Sequence, residues 1–264
     1  MALSVFDATF LYPIKGFFYF LSRPYYWPLF RTRLIPICFL SAFILSILFI
    51  FAFLPQVAFL AIFHGAGAWL NAVVLTLGEG AAITGLLFEA FFVDETQVDV
   101  FDAVLIDQGL SDLVAQARVL DPTADDSVKM LGKPTVSSQY APFSFRQIIE
   151  FIILLPLNLI PFVGVPIFLV GTGYRAGPFH HWRYFKLLSL NKKERKQYIK
   201  RRQLKYTWFG IVSLILQLVP VLQMLFLLTT AAGSALWAAK MEKARRVREA
   251  APAEAEHEPY HDEP

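Results

Sequence analysis

Charge is scarce in this chain of 264 residues: Asp, Glu, Lys and Arg make up 17% of it, where an ordinary soluble domain carries about a quarter. From Leu34 to Gly78 none of the four occurs, and His64 and Cys38 are the only titratable side chains in that run. A globular core does not need so long an apolar block, so a soluble enzyme is excluded and lipid is the expected solvent. Cys38 is the sole cysteine. No intramolecular disulfide can form, and the thiol reads as a small buried hydrophobe. N-glycosylation sequons are missing as well, since Asn71, Asn158 and Asn191 are followed two residues on by Val73, Ile160 and Lys193. Nor is there a Walker loop, a Gly-x-Ser-x-Gly elbow, a His-Glu-x-x-His pair or a cluster of cysteines, so neither enzymatic activity nor a cofactor or metal is expected. The first apolar run starts near Leu34 and is longer than a signal h-region, which predicts an anchoring span rather than a cleaved signal peptide.

What the chain has instead is apolar and aromatic residues, 56% and 16% of the total. Residues 1–33 interleave Phe17, Phe18, Tyr19, Phe20, Tyr25, Tyr26 and Trp27 with Lys15, Arg23, Arg31 and Arg33, the composition of a segment at the headgroup level. Residues 34–78 are long enough to cross a hydrocarbon core of about 30 Å twice at a rise of about 1.5 Å per residue. Pro55 marks the expected turn, giving helices near 34–54 and 56–78, with Gly65, Ala66, Gly67 and Ala68 permitting close approach. His64 is expected to be a packing residue. Residues 79–147 form the polar region. Its first part, 81–93, reads as an apolar helix interrupted by Glu89; then Asp94, Glu95, Asp99, Asp102, Asp107 and Asp112 alternate with Val98, Val100, Phe101, Val104, Leu105, Ile106 and Leu110, which predicts an amphipathic helix with a solvated acidic face. The run lacks the Gly and terminal Glu of a calcium loop, and the stretch from Pro122 to Pro142 reads as a linker or flexible loop.

Proline organises the rest. Residues 148–240 hold two apolar stretches: Phe151–Tyr174, divided by Pro156, Pro161 and Pro166 with Gly164 between the last two, and Tyr206–Ala239, divided by Pro220. Proline removes a backbone donor and clashes with the preceding turn, so each stretch is expected to fold as a hairpin turning at Pro161, Gly164 and Pro166 or at Pro220. Leu157-Asn-Leu-Ile-Pro161 also registers with Leu216-Gln-Leu-Val-Pro220, as a repeated unit would. The predicted fold is therefore an all-α integral membrane protein, with an antiparallel transmembrane helix pair and two proline-broken re-entrant helical hairpins.

Charge sets the orientation. Between the hairpins, residues 175–205 contain eleven Lys or Arg against Glu194 alone, and Lys240, Lys243, Arg245, Arg246 and Arg248 follow the second hairpin. If both stretches are hairpins, every basic cluster falls on the cytosolic face, as the positive-inside preference requires. The segment reads as an amphipathic surface helix with Tyr184, Phe185, Leu187, Leu188 and Leu190 on its apolar side. His180 and His181 read as part of this basic membrane-edge turn. Arg31, Arg33, Arg175, Lys192, Lys193, Arg195, Lys196, Lys200, Arg201 and Arg202 are the candidate contacts to anionic lipid or a small anion. Membrane lipids, including anionic headgroups, are the expected partners. Self-association or another membrane protein stays open, and nucleic acid is not expected. Residues 241–264 turn from basic to acidic and are expected to be disordered, with His257 and His261 too sparse for a metal site.

Three places resemble one family. Lys15-Gly16-Phe-Phe-Tyr19-Phe-Leu21-Ser-Arg-Pro24 leading into Leu34-Ile35-Pro36 is similar to the opening of the etoposide-induced-protein/CysZ superfamily. Asn158-Leu-Ile-Pro161-Phe-Val-Gly164-Val-Pro166 resembles its proline hairpin, and Val219-Pro220 through Gly233-Ser-Ala-Leu-Trp237 its closing pattern. Phe91-Phe-Val-Asp-Glu95, Val100-Phe-Asp-Ala-Val104 and Gly173-Tyr-Arg-Ala-Gly177-Pro look like the fungal outer-spore-wall and lipid-droplet branch. The resemblance implies sulfate uptake for bacterial members, endoplasmic reticulum residence for animal ones, and lipid droplets and spore-wall assembly for the fungal branch. Leu29-Phe30-Arg31-Thr32-Arg33 occupies the place of the bacterial anion motif, with two arginines but no glycine. The expectation is a non-enzymatic protein of the endoplasmic reticulum membrane and lipid droplet supporting spore-wall assembly. Transport of sulfate-like anions is the alternative.

Overall fold

The computed structural model describes residues 9–91, 95–134, 149, 163–219 and 222–255. The chain is mostly helical and forms an apolar limb and a polar body. After α1 (Tyr12–Leu21) and a 3-10 turn at Pro24–Tyr26, α2 (Trp27–Phe51) enters the charge-free run. Pro55 has no N–H to offer the carbonyl of Phe51, and the helix breaks at Ala52 before α3 (Phe53–His64). The reversal expected at Pro55 lies instead at Gly65–Gly67, where Gly65 has φ 53, a conformation that glycine adopts without a Cβ clash. α4 (Ala68–Phe91) then runs back. Leu45 of α2 lies against Gly80, while Val57 and Leu60 of α3 cluster with Ala68 and Ala72.

By length and composition the 29-residue stretch Phe53–Ala81 is apolar enough to cross a membrane. It is not one rod. Gln56 Nε2 donates to Glu79 Oε2 at 2.7 Å and Thr76 Oγ1 donates to Gln56 Oε1 at 2.8 Å, contacts that a straight helix would hold about 30 Å apart. α4 passes through Gly78, Glu79 and Gly80 unbroken, with Glu79 bonded to Gln56 and Gly80 admitting Leu45. Outward-facing Ile35, Phe39, Phe51 and Ile62 are each more than 70% exposed, a surface suited to acyl chains and costly in water.

The polar body contains α5 (Glu95–Asp107), α6 (Ser111–Ala115) and the antiparallel pair β1 (Arg118–Leu120) and β2 (Leu131–Pro134). The chain is mostly helical, as expected, and this two-stranded hairpin is the one sheet among the described residues, giving the described part of 122–142 a defined course. Arg118 fixes the pair by donating Nε to the carbonyl of Gly132 at 2.8 Å, and Asp121 and Asp126 close the connection by accepting from Thr123 N and Lys129 N. α5 does not present a solvated acidic face: Val98, Val100, Phe101, Ala103, Val104, Leu105 and Asp102 have no exposed surface.

Downstream come α7 (Gly164–Ala176), α8 (Trp182–Leu187), α9 (Lys192–Lys200), α10 (Gln203–Gln217) and α11 (Gln223–Ala255). α7 and α10 meet where Gly173 and Gly177 lie against Ile211 and Tyr206 and leave no room for a Cβ. Tyr206 and Phe209 of α10 touch Trp237 of α11, with ring centroids 4.8 and 5.5 Å apart, so the chain reverses between Gln217 and Gln223. α1 packs on α11 through Gly16 and Gly233. One continuous core joins Phe20 and Tyr26, α5 and α6, Tyr184, Phe185 and Leu187 of α8, Tyr206 and Phe209, and Leu228 to Ala239 of α11.

Candidate functional site

Of the proline-turn residues, Gly164 and Pro166 fall in the first turn of α7, where a missing N–H leaves no helical bond unmade. Pro161 and Pro220 lie outside the described residues. Arg31 and Arg33 belong to α2, and their side chains are outside the described set.

The remaining basic candidates are brought together, though not as one amphipathic helix. Ser189, with φ 51, and Asn191 interrupt the segment. Asn191 Oδ1 accepts from the N–H groups of Lys193 and Glu194, while the Glu194 carboxylate accepts from the N–H of Asn191, a reciprocal cap that starts α9. Lys192, Lys193, Lys196, Lys200 and Arg201 are exposed around α9. Arg195 and Arg202 are half-buried and lie over Trp182 and Tyr198, each with its guanidinium carbon 4.0 Å from the ring centroid. Arg175 is exposed at the end of α7, and Gln203 Nε2 caps that end by donating to the carbonyl of Tyr174 at 2.9 Å. Tyr184, Phe185 and Leu187 turn into the protein core rather than toward lipid, because α8 packs inside the body.

Beneath this surface lies an ionic network that the sequence reading missed. Arg183 Nε and Nη2 donate to the two oxygens of Asp102 at 2.9 and 2.7 Å, both side chains being fully buried. Arg118 bridges Asp102 at 3.2 Å and Asp99 at 2.6 Å. Burial pushes the Asp102 carboxyl above the usual range, against the pull of Arg183 and Arg118. The spacing holds the signal that could have found it: Asp102 stands four residues after Val98 and three before Leu105, inside the apolar stripe. Asp107 gathers the phenols of Tyr19, Tyr25 and Tyr26, tying the N-terminal segment to α5. Burial first, and then the bond to Asp107, push Tyr25 up to about 12. Glu242 accepts from Arg245, Arg246 and Tyr184, and Arg246 reaches Asp112 at 2.6 Å.

His181, expected in a membrane-edge turn, is buried as well. Its Nε2 donates to the carbonyl of Ser234 at 2.9 Å, leaving Nδ1 to accept from the Tyr206 hydroxyl at 3.0 Å. Burial holds it down to about 3, so the ring is a neutral staple between α10 and α11. Among the described residues no cluster of His, Cys, Asp and Glu is arranged to hold a metal ion.

Residues 12–227 match the family described as sulfate transporter CysZ/etoposide-induced protein 2.4. The chain belongs to this family. It is also similar to the outer spore wall protein RRT8 of Saccharomyces cerevisiae, with 22% identity over 258 residues, covering 91% of this chain and 74% of that protein. No solved structure matches it. Family membership makes this a membrane protein, and the matched region takes in both the apolar limb and the basic helix α9.

Proposed function

We propose that this protein is a non-enzymatic component of the endoplasmic reticulum membrane that partitions to lipid droplets and supports spore-wall assembly through lipid or precursor supply. The observation that carries the reading is the single core shared by α1, α5, α8, the start of α10 and α11. That core encloses the ion pairs of Asp102 with Arg183 and Arg118, charges that are costly at bilayer depth, so we read these segments as one body on one side of the membrane. The positive-inside preference makes that side cytosolic. α7 and α10 have 13 and 15 residues, about 20 Å and 22 Å, short of a hydrocarbon core of about 30 Å. They act as limbs of re-entrant hairpins, and α2 to α4 as the membrane-inserted pair.

Such one-sidedness suits a droplet, whose phospholipid monolayer covers oil and has no second aqueous face. The exposed cations of α9 serve as headgroup contacts at about 1 kcal/mol each near an anionic surface. The likeness to an outer spore wall protein supports the assignment to spore-wall assembly. Imaging a fluorescent fusion of the full chain in oleate-fed and sporulating cells tests the reading: droplet-surface rings are expected, with spore-wall defects on deletion. Confinement to the plasma membrane when droplets are abundant would overturn it. The family description favours a second reading, passage of sulfate-like anions. Sulfate flux into proteoliposomes that is lost on joint Arg31→Ala and Arg33→Ala substitution would establish it in place of the first.

A further inference from the structure

Helix α1 and the apolar limb meet at an elbow that little backbone holds. Arg23 precedes Pro24, whose ring disfavours helical backbone at the residue before it, and Arg23 is accordingly extended at φ −125 and ψ 99. α1 stops short of it. Pro24 opens the 3-10 turn and Pro28 lies in the first turn of α2, so neither brings an N–H to the junction. On one side of the elbow α1 is fixed to α11 through Gly16 and Gly233. On the other, the limb has a packing cluster of its own, Val57, Leu60, Ala68 and Ala72. α2 comes beside α5 and α11, yet among the described residues Leu29 is the only one of its half-buried apolar side chains that packs on the body core. The boundary is sharp: Tyr26 has no exposed surface, and Trp27 after it is 54% exposed. The other connection of limb to body, residues 92–94, lies outside the described residues.

One carboxylate spans this elbow. Asp107, at the end of α5, accepts at a single oxygen, Oδ2, from the hydroxyls of Tyr19 at 3.1 Å, Tyr25 at 2.7 Å and Tyr26. Tyr19 belongs to α1, before the extended residue, and Tyr25 and Tyr26 to the turn after it. Arg23 lies over the Tyr19 ring, its guanidinium carbon 3.6 Å from the centroid and its Nε 3.9 Å from Oδ2. Gln108 secures the far side by donating to the Tyr19 hydroxyl at 3.4 Å and accepting from Lys243 of α11 at 3.3 Å. Burial raises the phenols of Tyr25 and Tyr26, so both stay protonated donors at neutral pH, and a charged acceptor holds such donors more strongly than a neutral one.

We propose that Arg23–Tyr26 is a hinge between the body and the limb, and that Asp107 is its lock. While the three phenols are held, α1 and α2 keep one angle. Once they are released, the limb swings as a unit about Arg23, the residue placed to absorb the change in backbone angles. With the body at the surface, that angle sets the tilt of the limb in the membrane, a consequence that rests on the reading of α2 to α4 as membrane-inserted.

The test places spin labels on cysteines at the exposed positions Asp125, on the β1–β2 connection, and Ile50, on α2, in a Cys38→Ser background. Double electron–electron resonance is recorded on the full chain in phosphatidylcholine nanodiscs. Ile50 lies about 35 Å along α2 from the elbow, so a swing of about 10° carries it about 6 Å. One narrow distance is expected for the parent. Asp107→Ala should add a second, displaced distance, and Tyr25→Phe, which keeps the ring and loses one donor, should do so in smaller proportion. A pair within the limb, Phe39 with Ile62, should keep its parent distance in both. If melting curves show that Asp107→Ala has lost its fold, Tyr25→Phe decides. Relaxation of the Ile50 label by oxygen against a water-soluble nickel chelate reports insertion separately, and preference for the chelate would remove the limb from lipid while the lock stands. An unchanged Asp125–Ile50 distance in the folded variants, or equal broadening of the Phe39–Ile62 pair, would overturn the proposal.

Discussion

Asp102 is the residue on which the polar body depends most. A carboxylate with no exposed surface is tolerable only because Arg183 and Arg118 both reach it, and the three side chains come from α5, α8 and β1. Asp102→Asn keeps the shape and removes the charge, leaving two guanidinium groups without their shared partner. The expected loss is about 3–5 kcal/mol, read as a fall in melting temperature of the detergent-solubilised chain. An unchanged melting temperature would show that the network does not hold the body together. His181 makes a second prediction, with a sign. Its folded value of about 3 lies below the unfolded value of 6.5, so its neutral form stabilises the protein fully above pH 6.5. That contribution is lost as pH falls toward 3, at up to about 1.4 kcal/mol per unit. His181→Gln should therefore flatten stability between pH 6 and 4 relative to the parent. Val98, Phe101 and Leu105 announced a buried stripe in the sequence, but Asp102 within it read as solvent-facing. Its partners lie 16 and 81 residues away, beyond the reach of local periodicity.

At the scale of elements, apolar blocks were legible and reversals only partly so. The break associated with Pro55 follows from proline chemistry. The tip at Gly65 does not, because any of four consecutive small residues could have supplied it and only the packing of α3 on α4 chooses. Glycine matters more where helices touch. A Cβ on Gly16 would run into the backbone of Gly233, and one on Gly233 into that of Tyr12. Gly16→Val should force α1 from α11 and destabilise by about 1–3 kcal/mol or more. Gly67→Ala meets nothing closer than His64 Cβ at 4.0 Å and should melt like the parent. Equal melting of the two variants would contradict the close packing of α1 on α11.

Over the described residues the molecule is an apolar limb attached to one polar body. Distant segments contribute to that body in interleaved fashion: Tyr26 bonds Asp107, Asp102 bonds Arg183, and Arg246 bonds Asp112. Interleaving is what fixes topology, since no segment can change sides without dismantling the others. Site-specific labelling tests this most directly. Single cysteines at the exposed positions Asp125, Lys193 and Lys243, in a Cys38→Ser background, would be probed with a membrane-impermeant maleimide in sealed microsomes. All three are expected to react before detergent is added, with no further gain after it. Reaction at Asp125 before lysis together with reaction at Lys193 only after lysis, or the reverse, would place the two halves of the body on opposite faces and contradict the account.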